Sequence, residues 1–459
     1  MTTVAAPIDR ATWRICWIIV FGAFASGLDA SVVTIGLDSI SSDLGADLSV
    51  TQWVASGYLL ALALSLPLTG WLARRFGAGR VWLFALAAFT VASGLCAVAP
   101  DVVALIAFRF LQGLAGGVLI PAGQTVLGQQ VGAARLGRVM ATLGIAVSVA
   151  PALGPLAGGL ILHGLSWPWL FLINLPIGAV GLVLGLRYVP RGSREATGGI
   201  DFVGLVLIAA GLPLVLYTVT TWGDTGRLEL LILVPGLALL ASFAVRCLRH
   251  PHPLLDFSLY RNRLYRAASL AAAFNGALIF GSGIVVTLYF QLGRHLDFVG
   301  TGLSLLGFAG ATAAIAPVTG RTVDRYGAAP VALVGAMLAV VSTVPFAFLP
   351  VDAPGVVVQV LLAGYGASVA LVSMPMGIAA YKTVEPSRLP DAAAQVTILL
   401  RVGGSLGGAV FAVLIAGRLP DADTAFRLGF GAISVGAAGS LVTALLVARA
   451  SRAKPLRRT

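Results

Sequence analysis

Asp29, Arg109 and Arg401 are three ionisable residues set deep inside long apolar stretches of this 459-residue chain. A charge at the centre of such a stretch costs roughly 2.5 to 3.5 kcal/mol to place in a bilayer, so it faces a partner or a polar path and marks where ions or substrates are handled. Asp29 lies eight residues before Leu37, and Arg109 eight after Asp101. At 1.5 Å per residue both lie about 12 Å below one membrane face, so the two charges can meet. Two readings stay open. The pair is a permanent clamp between two helices, or Asp29 gains and loses a proton as Arg109 swings away or a substrate cation competes for it. Burial favours a neutral carboxyl and a neighbouring guanidinium an ionised one, so their balance decides.

Arg401 lies near mid-membrane beside a glycine run, where it can bind a substrate acceptor or backbone carbonyls, or serve structure alone. Gln124, Asn275, Tyr289 and Tyr365, with Asn174 and Gln395, are polar side chains in apolar segments that can line a cavity, or simply bond between helices. Met374 and Met376 offer soft contacts suited to varied ligands, or act as packing filler.

The elements that hold these residues belong in lipid. The chain is 58% apolar and only 10% charged, against about 25% charged in a soluble domain. The net charge of +12 is not gathered on one arm as nucleic-acid binding requires; it falls in small groups between apolar segments. Cys16, Cys96 and Cys247 show no CxxC spacing, so no disulfide or zinc framework is expected. His163, His250, His252 and His295 lie in or beside loops, and the His250–His252 pair reads as solvated. No Walker-type loop with its lysine appears, and Lys382 and Lys454 are the only lysines. No enzyme, ATP-driven pump, metal or cofactor is expected.

About 20 apolar residues span the roughly 30 Å hydrocarbon layer, and fourteen such segments recur between residues 15 and 448. The first contains Asp29 and is too long and too polar for a cleavable signal. With both termini placed in the cytoplasm, two dozen of the 30 Lys and Arg residues fall in inner loops, against four outside. That asymmetry supports the even count, since omitting one helix would invert every later loop. The chain also repeats itself. Gly70-Trp-Leu-Ala-Arg-Arg-Phe-Gly77 follows the second segment and Gly320-Arg-Thr-Val-Asp-Arg-Tyr-Gly327 the tenth, with the same glycine spacing. Gly154, Gly158 and Gly159 of the fifth segment are matched by Gly403, Gly404, Gly407 and Gly408 of the thirteenth. Segments 1 to 6 thus correspond to 9 to 14, and segments 7 and 8 form an inserted hairpin.

These residues resemble the major facilitator superfamily, and within it the fourteen-helix drug:proton antiporters, over nearly the whole chain. Leu28 to Leu37 is similar to the family's acidic first-helix motif, and Gly70 to Arg80 to its loop motif between helices 2 and 3. Arg109 to Gly117 looks like the fourth-helix arginine motif, Pro151 to Gly159 the fifth-helix antiport motif, and Trp167 to Gly178 the approach to helix 6. There are departures. Arg74 stands where the loop motif usually has an acid, while Asp324 keeps that acid in the second repeat; Thr34, Asp38 and Pro168 replace the usual Asn, Pro and Arg.

The resemblance implies an all-α polytopic membrane protein of the major facilitator fold. It would have an N-terminal six-helix bundle over 1–190, inserted helices 7 and 8 with linkers over 191–252, and a C-terminal bundle with a basic tail over 253–459. Asp29 and Arg109 would couple protons. Gly70, Arg74, Arg75, Gly77, Pro151, Gly154, Pro155, Gly158, Gly159, Asp324 and Arg325 would gate and hinge, with Gln124, Asn275, Tyr289, Tyr365 and Arg401 at the substrate. The implied activity is proton-coupled export of amphipathic organic compounds, multidrug or antibiotic efflux, by alternating access in the plasma membrane. A single intramembrane carboxylate favours neutral or monocationic substrates over dications. A monomer is expected, with lipid, protons and a small organic substrate as its partners. The alternatives are an exporter of one endogenous metabolite or lipid, which Arg109 and Arg401 would suit were it anionic, and a non-transporting scaffold on the same fold.

Overall fold

The computed structural model describes residues 8–194, 198–225, 229–251, 253–416 and 422–452. Among these the regular structure is helical. The α-helices are α1 Arg10–Ile35, α2 Leu37–Asp43, α3 Leu48–Thr51, α4 Trp53–Phe76, α5 Ala78–Ala97, α6 Val102–Gly164, α7 Trp169–Leu172 and α8 Asn174–Tyr188. They continue as α9 Phe202–Thr225, α10 Leu230–Arg249, α11 Arg263–Leu288, α12 Phe298–Tyr326, α13 Ala328–Thr343, α14 Gly355–Tyr381, α15 Leu389–Ala416 and α16 Ala422–Arg452. Thirteen stretches of the described residues are long and apolar enough to cross a bilayer.

One element departs from the expected segments. The fourth and fifth run on as the 63-residue α6, about three bilayer thicknesses long if straight. Gly132, at φ 64° and ψ 176°, breaks it; a left-handed φ is open to glycine at no steric cost. The second arm, 133–164, stands where the fifth segment is expected. Pro151 and Pro155 lie on that arm, but their side chains, like His252 and the basic tail from 453, fall outside the described residues.

The duplicated loops have the same backbone. α4 ends at Gly77 with φ 91° and α12 at Gly327 with φ 89°, and each helix carries a proline, Pro67 or Pro317, three residues before Gly70 or Gly320. These turns mark one end of the molecule, the loop end. There a single apolar core joins residues of both halves, from Ile15, Leu127 and Leu143 to Tyr265, Met376 and Leu389. At the far end the cores are separate. Val33, Leu105, Trp167 and Phe171 pack within the first half, and Val285, Tyr365, Phe411 and Phe430 within the second. The molecule is therefore closed across its halves at the loop end and divided into two cores at the far end. The α9–α10 hairpin packs along the seam, where Ile208, Leu212 and Phe243 meet Ala63 of α4 and Ile398 and Val402 of α15. Asp201 anchors it, accepting the Gly204 N–H at 2.8 Å and Arg246 Nε at 2.7 Å.

Candidate functional site

Asp29 and Arg109 meet. Nη1 of Arg109 lies 2.5 Å from Oδ2 of Asp29, and neither side chain has any exposed surface. Asp29 Oδ1 accepts from Gln112 Nε2 at 3.0 Å and from Asn174 Nδ2 at 2.6 Å. Arg109 gives its Nε to the Val54 carbonyl at 3.0 Å and a further Nη1 bond to Gln112 Oε1 at 2.7 Å. Its guanidinium lies 4.1 Å over the Tyr58 ring, a cation–π contact that strengthens in a desolvated site. Four elements thus converge: α1 brings Asp29, α6 Arg109 and Gln112, α8 Asn174, and α4 Tyr58 and Val54. Charge-assisted bonds of this length offset part of the cost of burying both ions, while Arg109 Nη2 is buried without a hydrogen-bond partner. The cluster is sealed inside the first half rather than open to the space between halves.

Gln112 and Tyr58 are members that the sequence reading did not single out. Gln112 had a signal, since a residue three after Arg109 shares its helix face. Tyr58 had none, because its position depends on how α4 packs. Immediately past Asp29, a Cβ at Gly154 would collide with Ser31, and one at Gly158 would touch the Val32 carbonyl, so these glycines let the second arm of α6 lie directly on α1. Gly159 faces Val299 instead.

The loop end is held by two polar latches related by the repeat. At the end of α12, Asp324 accepts the backbone N–H groups of Gly137 at 2.9 Å and Arg138 at 3.3 Å. It also pairs with the side chains of Arg138 at 3.4 Å and Lys382 at 3.9 Å. Burial pushes the Lys382 ammonium below its usual range, against the opposing pull of Asp324. At the end of α4, Arg74 donates to Asp391 in the first turn of α15. Gly70 makes room for that carboxylate, where a Cβ would overlap Asp391, and Gly320 likewise meets Gly137 and Ala141. The second latch thus carries its charges in reverse: the loop residue is the cation, and the facing helix start supplies the acid. Arg75 and Arg325 point outward, Arg325 lying over Tyr326. Gln124 accepts from the Tyr381 hydroxyl at 3.1 Å, and Gln129 donates to the Pro386 carbonyl at 3.5 Å, two further bonds between halves.

The other polar candidates of the second half bond within it. Asn275 donates to Ser373. Tyr365 donates to Ser282 at 2.8 Å, and Tyr289 to the Val351 carbonyl at 3.2 Å, both tyrosines lying in the far-end core. Gln395 bonds to Tyr265 and to the Asp256 carbonyl. Met376 is fully buried, and Met374 abuts Gly144 across the seam. Arg401 differs: its Nε is buried without a partner.

Comparison with known proteins gives the family and the fold. Residues 19–412 match the Major Facilitator Superfamily. The chain is 34% identical over 421 residues to the multidrug resistance protein B homolog of Mycobacterium tuberculosis strain H37Rv, covering 89% of this chain and 77% of that one. It is 29% identical to the tetracenomycin C resistance and export protein of Streptomyces glaucescens, covering 91% and 79%. Among solved structures, the proton:xylose symporter XylE superposes with a TM-score of 0.66 at 14% identity, covering 95% of each chain, which is a likeness of fold. The chain, with its helical halves closed on each other at one end, belongs to the major facilitator superfamily of transporters.

Proposed function

We propose that the protein is a proton-coupled antiporter that exports amphipathic organic compounds through the plasma membrane. In this reading fourteen helices cross the bilayer and both termini lie in the cytoplasm. Residues 1–190 and 253–459 are the two moving bundles, 191–252 is an inserted hairpin, and the chain acts as a monomer. The loop end then faces the cytoplasm, and the conformation described is the outward-facing one.

The observation that carries the reading is the buried Asp29–Arg109 pair, held at 2.5 Å in the first half of a molecule joined to the second half at one end. An intramembrane carboxylate whose partners come from four packed helices is sensitive to their relative motion. When Arg109 shifts, Asp29 becomes the proton acceptor; when the proton leaves, the pair re-forms and favours the closed loop end. The relatives named as multidrug resistance and export proteins support the substrate class.

The test is proton release from purified protein in detergent on addition of candidate compounds. Release that requires Asp29 supports antiport. Release or transport at the wild-type rate by Asp29→Asn would refute the coupling role and leave a fixed clamp. No release with any ligand would favour the scaffold reading.

A further inference from the structure

The proton site is electrically closed. Asp29 and Arg109 cancel each other, and every bond to the Asp29 carboxylate comes from its own half. Arg401 is left over. It sits near the middle of the span Pro386–Ile415, and among the described residues it has no hydrogen-bond or ion-pair partner. A guanidinium has five N–H donors and no acceptor. Leaving it bare in the membrane interior is costly unless something with negative charge comes to it.

Helix geometry gives the direction it faces. Leu406, Val410 and Leu414 are exposed and mark the lipid side of α15. Arg401 is nine residues before Val410, about two and a half turns, and so lies on the opposite side of the helix. Its neighbours Ile398 and Val402 pack toward Ala63 of α4. The guanidinium lies within electrostatic reach of Tyr58 on α4, the ring that also stacks on Arg109. Arg401 is thus an unneutralised cation facing the other half across the seam.

We infer that Arg401 is the anion-binding residue of the substrate site, and that the exported compounds are amphipathic monoanions bearing a carboxylate, sulfonate or phenolate. This rests on the antiporter reading and narrows it from the neutral or monocationic substrates that the lone carboxylate suggested. Asp29 is already neutralised by its own half, so it has no charge left to attract a cation in this state. The direction of transport gains from the assignment. Exchange of a neutral molecule for one proton moves one charge, and 100 mV then sustains a gradient of about 50-fold; exchange of a monoanion moves two, and sustains on the order of 2,000-fold.

Two fluorescent probes with the same rings test it. Anilinonaphthalene sulfonate is a monoanion, and phenylnaphthylamine is its neutral counterpart. Both are titrated into the full chain in lipid nanodiscs, with empty nanodiscs subtracted. The expected result is that Arg401→Gln weakens the sulfonate probe by roughly tenfold to a hundredfold and leaves the neutral probe unchanged, while Arg401→Lys retains most of the sulfonate affinity. Equal sulfonate affinity in wild type and Arg401→Gln, no sulfonate binding by wild type, or equal loss of both probes would each overturn the assignment. The two readings fail separately. Asp29-dependent proton release with Arg401-independent sulfonate binding removes the anion site and keeps antiport. Arg401-dependent binding with no proton release keeps the anion site and removes antiport.

Discussion

The reversed latch between Arg74 and Asp391 should respond to charge, not to side-chain identity. Arg74 has 18% of its side chain exposed and Asp391 only 3%. Breaking a fully buried pair costs about 3 to 5 kcal/mol, and the partial exposure of Arg74 lowers that to about 2 kcal/mol, roughly a 30-fold change in a two-state ratio. Arg74→Asp restores the acid usual at this place in the loop motif, yet here it would face Asp391 and add like-charge repulsion. Spin labels at Phe76 and Tyr326, exposed at the ends of α4 and α12, report the separation of the halves by pulsed dipolar spectroscopy, with Cys16, Cys96 and Cys247 replaced. Arg74→Asp and Asp391→Arg should each shift the distribution to longer distances, and the double variant Arg74→Asp with Asp391→Arg should bring it back. If the single variants match wild type, or the double variant stays open, the pair does not hold this end closed.

Arg109→Ala leaves Asp29 with a buried, uncompensated charge and should lower stability by about 3 to 5 kcal/mol, read as a fall in Tm in detergent; an unchanged Tm would contradict the pairing. Gly154→Leu drives a side chain into Ser31 and should cost about 1 to 3 kcal/mol and abolish transport; wild-type transport would show that α1 and α6 need not lie so close. For Asp201, burial pushes the carboxyl up, but the Gly204 N–H and Arg246 outweigh it, so it titrates below its usual range. Its contribution is then complete above the unfolded value of about 3.9 and lost as pH falls through the lower folded one. The Tm gap between wild type and Asp201→Asn should hold from neutral pH down to about 5 and shrink below about 4.

Depth along a helix is legible from sequence because rise per residue is constant, and this brought Asp29 and Arg109 to one level. Whether two side chains at one level touch water is a matter of packing, and the seal around the pair depends on Gln112 of α6 and on Tyr58 and Asn174 from two other helices, α4 and α8. The loop repeat was legible in its glycine spacing, and the matching φ of Gly77 and Gly327 is the backbone reason for that spacing. The partner of Arg74 was not legible. Asp391 lies 317 residues away, beside a helix start whose meaning appears only when α4 and α15 are laid together. Tyr289 and Tyr365 look like cavity residues by composition, yet their hydroxyls find nearer acceptors in their own half.

In the proposed antiport, the placement of the polar groups also bears on how a proton and a gate can act on each other. The bonds to Asp29 all lie in the first half, so protonation cannot pull directly on the second. α6 supplies the connection. Its first arm carries Arg109 and Gln112, bonded to Asp29, and, further along, Gln124 and Gln129 in contact with the other half. Its second arm begins at the Asp324 latch and then lies against α1 through Gly154 and Gly158, just past Asp29. A change in the spacing of α1 and α6 at Asp29 therefore reaches the second arm at Gly154, against Ser31, and through the arm its start at Gly137. Coupling between distant sites is typically worth 1 to 3 kcal/mol, and the latch at Arg74 is of about the same size. In the antiport proposed above, a proton at Asp29 need only offset one such latch to change which end is closed, and the reversed charges at Arg74 and Asp391 retain that balance because ion-pair attraction depends on opposite signs, not on which half carries the acid.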